Sequence, residues 1–206
     1  MTSGQASQGK VSPLVVVITG SSGVGKDTII RHLKELQRPW HFVVTATTRK
    51  PRDYERDGVD YIFLTRQAFR KKLEQGEFLE HAQVYGEWYG VPRSQVSCAL
   101  AKGMDVFIKV DIQGAATIRR LVPDAVFIFV APPSLDELRR RLEGRRTEAF
   151  ESLERRLNTV AEEMERAKLC DYIVVNRDGQ AQQAAACIDA IVTAEKCRVQ
   201  PRKATI

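Results

Sequence analysis

Leu14-Val-Val-Val-Ile-Thr19 is an unbroken run of apolar and β-branched residues, and Gly20-Ser-Ser-Gly-Val-Gly-Lys-Asp-Thr28 follows it at once. A strand that is apolar at every position, rather than at alternate ones, is buried on both faces, as in a parallel sheet covered by helices. Comparable runs recur at Asp105 to Val110, Ala125 to Val130 and Tyr172 to Val175, each followed by a helical pattern. Strand and helix in alternation predict the α/β class and a doubly wound parallel sheet.

The segment between the first helix and Asp105 has a different texture. Short strand candidates at Phe42 to Thr45, Tyr61 to Leu64 and Phe78 to Tyr85 surround one helix, Gln67 to Gln75, which reads as a small α+β insertion suited to binding a substrate. The core is then expected over residues 13–40 and 104–195, with the inserted lobe at about 41–103. Ser134 with Glu137 three residues later is a capping box that opens the arginine-rich helix Leu135 to Leu142. From Leu153 the apolar residues fall at Leu157, Val160, Ala161 and Met164, the period of an amphipathic helix. Residues 1–12 and the basic stretch 196–206 are expected to be disordered flanks.

A chain of 206 residues, 43% hydrophobic and 28% charged, suits one globular domain with a sizeable core. Membrane spans are not expected, because the longest apolar runs fall far below the ~18 residues a spanning helix needs. Residues 1–13 hold no apolar stretch of the kind a secretory leader carries. Cys98, Cys170, Cys187 and Cys197 lie far apart with no CxxC pair, and His32, His41 and His81 are scattered. Neither a disulfide framework, a zinc site nor a histidine-based triad is expected, and the thiols suit a reducing cytoplasm. The formal charge of +6 is unevenly placed: residues 196–206 supply +4 and the other 195 only +2. The charge therefore says little about nucleic acid, and no aromatic platform motif supports that reading.

A glycine-rich loop between a buried strand and a helix points several backbone N–H groups at one spot, with the helix dipole behind them, and so binds phosphate. Gly20, Ser21, Ser22, Gly23, Val24 and Gly25 would line it, and Lys26 would reach the β- and γ-phosphates of ATP. The motif wants Ser or Thr after the lysine, where a hydroxyl ligates Mg2+, but Asp27 stands there. Thr28 is one helical position on and points about 100° away. A carboxylate is a hard oxygen donor, so Asp27 is expected to hold Mg2+ directly or through water, or else to complement the positive helix N-terminus.

Further along, Thr47-Thr-Arg49-Lys-Pro51-Arg52 sets two arginines three apart around a proline. Guanidinium forks bind phosphate oxygens bidentately and the proline limits the loop's freedom, so Arg49 and Arg52 suit an anion clamp. Tyr61 and Tyr89 can add hydroxyls to the same phosphate. The phosphate loop, this arginine segment, Asp60-Tyr-Ile-Phe63, Tyr89-Gly90, Val110-Asp-Ile-Gln-Gly114, Ala131-Pro-Pro-Ser134 and Arg141-Leu-Glu-Gly-Arg145 occur in the order and approximate spacing of guanylate kinases. The chain resembles that family over about residues 13–195.

The resemblance implies a P-loop kinase fold and Mg2+-dependent transfer of the ATP γ-phosphoryl group to GMP or dGMP. It implies that Arg49, Arg52, Tyr61 and Tyr89 bind the GMP phosphate, that Thr45, Glu80 and Asp111 lie on the guanine and ribose side, and that Asn176 lies near adenine. Glu80 fits chemically, since a carboxylate accepts two hydrogen bonds from guanine N1–H and its 2-amino group, which adenine does not offer. Glu55 is expected to orient the arginine loop. Val91 departs from the family by standing where a hydroxyl is usual, and Lys109 by standing where an acidic residue is common. Lys109 is expected to pair with a phosphate, with Asp27 or with Asp111.

Between Arg139 and Arg156 there are seven arginines against four acids. The resemblance implies a lid at about 141–156 in which Arg141, Arg145 and Arg156 close over the phosphates. With Lys26 and Arg49 these are the catalytic candidates, because fixed cations neutralise the charge spread over a phosphoryl group in flight. Arg139, Arg140 and Arg155 are expected to be solvated charges on a helix face. Two other readings stay open: a sugar-phosphate kinase resembling ribose 1,5-bisphosphate phosphokinases, which can carry Asp after the loop lysine, and a non-catalytic guanylate-kinase-like module that binds phosphopeptides. A monomer or small homo-oligomer is expected.

Overall fold

All six residues of β1 (Val15–Gly20) are buried, and the strand lies at the centre of a five-stranded parallel sheet. The computed structural model describes residues 12–21, 23–84, 86–143 and 167–206. β1 pairs on one side with β7 (Asp105–Lys109) and on the other with β8 (Val126–Ala131). Beyond them lie β2 (Trp40–Phe42) against β7 and β9 (Tyr172–Val175) against β8, giving the order β2-β7-β1-β8-β9.

Side chains along β1 alternate between two cores. Val16 and Ile18 pack with Ile29 and Leu33 of α1 (Lys26–Glu35) and with Ala184, Ile188 and Val192 of α6 (Ala181–Lys196). Val15 and Val17 pack with Val96 and Ala99 of α3 (Arg93–Ala101) and with Ala115 and Ile118 of α4 (Ile112–Leu121). Helices on both faces are the reason the run has no polar alternation. Each such side chain contributes roughly 1.5–3 kcal/mol on burial, so a polar residue anywhere in the run would cost stability on one face or the other.

A second, four-stranded sheet has the order β4-β3-β6-β5, built from β3 (Ala46–Thr47), β4 (Ile62–Phe63), β5 (Phe78–Val84) and β6 (Glu87–Pro92). Against it lies α2 (Arg66–Glu74), whose N-cap Thr65 accepts a hydrogen bond from the Ala68 N–H at 3.1 Å. Phe69 of α2 stacks on Phe78 with ring centroids 4.5 Å apart, and Trp88 joins them. The strand expected at Phe42 to Thr45 is divided. Trp40–Phe42 belongs to the main sheet and Ala46–Thr47 to the lobe, with Val43, Val44 and Thr45 crossing between. Gln95 satisfies the crossing backbone: its amide accepts from Val44 N–H at 2.9 Å and donates to Val44 C=O at 3.0 Å, as a neighbouring strand would.

α5 (Leu135–Glu143) starts where the capping signal lies, with Ser134 Oγ accepting from Glu137 N–H at 3.2 Å. The helix expected from Leu153, the lid beyond Glu143 and the segment 1–11 lie outside the described residues. The basic tail corrects its expectation, because it is bound. Lys196 pairs with the buried Asp105 at 2.7 Å, Arg202 donates to the buried Glu195 at 2.9 Å and to Ala125 C=O at 3.2 Å, and Ala204 packs on the core. Buried carboxylates need cationic partners, and the tail supplies them. Among the described residues no helix is long and apolar enough to cross a membrane.

Candidate functional site

β1 delivers the glycine-rich loop to the C-terminal edge of the sheet, where the chain crosses to opposite sides of β1 and ligands of α/β proteins bind. Gly20 has φ 140°, and a Cβ there would lie 2.2 Å from the Val130 carbonyl oxygen, so only glycine fits. Lys26 curls over the loop and donates to the carbonyl oxygens of Gly20 and Ser21. Thr19 Oγ1 and Ser21 Oγ are buried with no hydrogen-bond partner among the described residues. Asn176, which the resemblance places near adenine, lies beneath the loop: it is buried, donates to Val24 C=O at 2.7 Å and packs against Gly25. Its position at the end of β9 braces the loop.

Asp27 stands exposed in the first turn of α1, with Thr28 one residue on. Of the partners expected for Lys109, Asp27 is the one the fold provides, with Nζ 2.6 Å from Oδ1. Lys109 also donates to the Tyr61 hydroxyl at 3.0 Å and sits 4.6 Å from the centre of that ring. Burial opposes the Lys109 charge, but Tyr61 and Asp27 outweigh it and hold the ammonium well above its ordinary pKa.

Arg49 lies bidentate on Glu55, at 2.9 and 2.8 Å, with its guanidinium 5.2 Å from the centre of the Tyr61 ring. Burial disfavours the Arg49 cation, yet Glu55 and Tyr89 outweigh that and raise its pKa. Burial likewise pushes Glu55 up, but Arg49 and the Arg52 N–H, which donates at 2.8 Å, bring it below the usual carboxylate range. Glu55 therefore orients the arginine segment, as expected. The Arg52 side chain is half exposed and donates to Tyr54 at 3.1 Å. Tyr89 meets Tyr61 edge to face with centroids 6.2 Å apart. Arg49, Tyr61 and Tyr89 thus come together, and Arg52 joins them through Glu55.

Glu80, on β5, is 4% exposed, and its Oε1 has no hydrogen-bond partner among the described residues. Burial, and then the charge on Asp111, push its pKa up to about 8. Asp111 caps α4, accepting from Gly114 N–H at 2.8 Å. A Cβ on Gly114 would lie 2.9 Å from Glu80 Oε1, so a glycine inside a helix makes room for the carboxylate. Thr45 Oγ1 is also buried and unpartnered among the described residues. Such groups are costly unless a ligand completes them. Val91 is fully buried with Val15, Val17 and Val96, so it serves the core.

The family model described as guanylate kinase matches residues 12–193. The chain belongs to the guanylate kinase family. Guanylate kinase 2, chloroplastic/mitochondrial, from Oryza sativa subsp. japonica is 44% identical over 195 residues, which cover 94% of this chain and 68% of the relative. The guanylate kinase of Clostridioides difficile (strain 630) is 42% identical over 190 residues, 92% of each chain. The crystal structure of guanylate kinase from Anaplasma phagocytophilum matches with a TM-score of 0.76 and 33% identity, covering 91% of this chain and 89% of that one.

Within this guanylate kinase family fold, Arg141 lies near the end of α5, while Ser22, Arg145 and Arg156 lie outside the described residues. Gln95, which anchors the lobe, was not singled out from the sequence, and Gly114 was named only within a motif, without the role of admitting Glu80. Gly114 had a readable signal, because glycine is a poor helix former and its presence in the first turn of α4 calls for a close approach. Gln95 had none, since an amide on a helix gives no hint of which backbone it will meet.

Proposed function

We infer that the chain is a guanylate kinase that transfers the ATP γ-phosphoryl group to GMP or dGMP, giving ADP and GDP. The observation that carries this reading is Glu80, a buried carboxylate whose Oε1 has no hydrogen-bond partner among the described residues, in the lobe that also assembles Arg49, Tyr61 and Tyr89. Guanine N1–H and its 2-amino group are two adjacent donors for that carboxylate, whereas adenine presents an acceptor at N1. Thr45 and Asp111 complete the guanine and ribose side, and Arg49, Arg52, Tyr61 and Tyr89 hold the acceptor phosphate. Lys26 and the loop N–H groups of residues 20–28 hold the donor phosphates.

An oxygen of the acceptor phosphate forms the new bond to the γ-phosphorus while the bond to the bridging oxygen breaks and ADP leaves. Lys26 and Arg49, with Arg141, Arg145 and Arg156 of a lid at about 141–156, neutralise the charge in between, and no covalent protein intermediate is needed. Mg2+ takes oxygen donors and is commonly held by one or two carboxylates together with substrate phosphates. Asp27 fits that chemistry, as an exposed carboxylate directly after the loop lysine. The ion, when bound, supplies charge neutralisation at the β- and γ-phosphate oxygens. A cytoplasmic, reducing setting suits four free cysteines, three of them exposed. A monomer or small homo-oligomer acting on small nucleotides, without nucleic acid or membrane as partner, completes the reading.

The test is a coupled assay with ATP, Mg2+ and one acceptor at a time: GMP, dGMP, AMP, UMP or ribose 1,5-bisphosphate. GMP and dGMP are expected to turn over, with AMP lower in kcat/KM by about a thousandfold or more. Turnover of another acceptor with none of GMP would overturn the assignment.

A further inference from the structure

Three distant parts of the chain meet at one ammonium group. Lys109 ends β7, Asp27 opens α1 and Tyr61 precedes β4 of the inserted lobe, and Lys109 Nζ lies 2.6 Å from Asp27 Oδ1 and 3.0 Å from Tyr61 Oη. Two of the three residues at which the chain departs from the usual pattern of its family, Asp27 and Lys109, are thus in contact and of opposite charge. We propose that Lys109 is a positioning residue that sets the Tyr61 hydroxyl as a hydrogen-bond donor to the acceptor's phosphate, with Asp27 holding Lys109 in place. This rests on Tyr61 being part of the acceptor site.

The donors and acceptors available at this contact fix its direction. An ammonium has donors only, so the bond between Lys109 and Tyr61 runs from nitrogen to oxygen. With a lone pair of the phenol engaged by Lys109, its single proton points elsewhere and is available to a phosphate oxygen, which only accepts. The ring is held as well, since the Lys109 ammonium lies 4.6 Å and the Arg49 guanidinium 5.2 Å from its centroid. Lys109 itself is well placed to impose this geometry. Its side chain is only 18% exposed, it extends from a strand whose other four residues are buried, and a charge-assisted bond to Asp27 fixes its tip. Asp27 thereby influences the acceptor site without touching the acceptor.

GMP affinity, measured by calorimetric titration without ATP or Mg2+, separates this from a direct contact between Lys109 and phosphate. Lys109→Met is expected to weaken GMP binding by about tenfold, while Lys109→Arg, which keeps a cationic donor, stays within about threefold. Asp27→Asn is expected to weaken GMP binding too, and the double variant D27N/K109M to bind no more weakly than K109M. In a Tyr61→Phe background the effect of K109M is expected to vanish. An equal loss from K109M in that background would mean that Lys109 acts on the phosphate by itself, and it would overturn the proposal. So would GMP binding by K109M at the parent's affinity. If Tyr61→Phe binds GMP like the parent, Tyr61 leaves the acceptor site and the proposal falls with it. A parent that does not bind GMP at all would instead remove the function assigned above. If K109M fails to fold, D27N/K109M, which removes both charges, and K109R carry the same comparison.

Discussion

Glu80 holds its proton up to about pH 8, because burial and then Asp111 both disfavour its charge. Guanine recognition needs the ionised form, an acceptor for two donors. GMP binding is therefore expected to weaken by up to about tenfold per pH unit below that value and to level off above it. Calorimetry from pH 7 to 9 in buffers of different ionisation enthalpy should register the proton released on binding. Glu80→Gln offers one acceptor and one donor in place of two acceptors, and is expected to abolish the slope and cost about a hundredfold in GMP affinity. Stability runs the other way. The folded pKa lies above the ordinary 4.5, so the contribution of Glu80 to stability is fully present below 4.5 and is lost as pH rises through about 8. Thermal melts should find Glu80→Gln raised by roughly 10 °C or more in Tm at pH 9 and little changed at pH 5. A parent melting temperature higher at pH 9 than that of the Gln variant would contradict the origin assigned to the shift. Of this chemistry, the double-acceptor role proposed for Glu80 could be framed from one carboxylate at a family position. The raised pKa could not, because it depends on how deeply β5 is covered and on how near Asp111 comes.

Among the elements, the crossing from β2 to β3 decides how the acceptor lobe is carried. Val44 pairs with no strand in this segment and relies on the Gln95 amide for both its N–H and its C=O. Gln95→Ala is expected to cost about 1–3 kcal/mol in urea unfolding and to raise the KM for GMP several-fold more than that for ATP. Equal effects on both substrates would mean that Gln95 supports the core rather than the lobe. Regular elements were legible where the signal is local. β9 lies at Tyr172–Val175 as the apolar run required, and α2 begins within one residue of expectation, at Arg66 behind the Thr65 cap. The strand drawn from Phe42 to Thr45 failed, because apolar content alone cannot say which of two sheets a residue will pair with. Val43 to Thr45 are hydrophobic or β-branched enough for a strand but lie on the path between sheets.

Across the whole molecule, the basic tail closes the end of the sheet opposite the phosphate loop. Ala125 precedes β8, Asp105 starts β7 and Asp171 precedes β9, and Arg202 or Lys196 reaches each of them. The site lies about 20 Å away, the length of a six-residue strand. Arg202→Ala is expected to lower unfolding free energy by about 1–3 kcal/mol, because Glu195 is 2% exposed and loses a cation, while kcat and both KM values stay unchanged. A change in turnover with stability unaltered would refute this purely structural role. Lys196 and Arg202 of the basic tail are thereby assigned to acids of the fold rather than to a polyanionic partner. By itself, the order of residues determined the α/β class, the phosphate loop and the arginine segment, because each depends on neighbours in the chain: an apolar run, glycines at a turn, two guanidinium groups about a proline. Tertiary structure alone decided the rest. Lys109 is 82 residues from Asp27 and 48 from Tyr61, and Asn176 is 152 from Val24. Their meeting follows from how strands order themselves in a sheet and how a lobe packs against it, and a short-range signal contains no term for either.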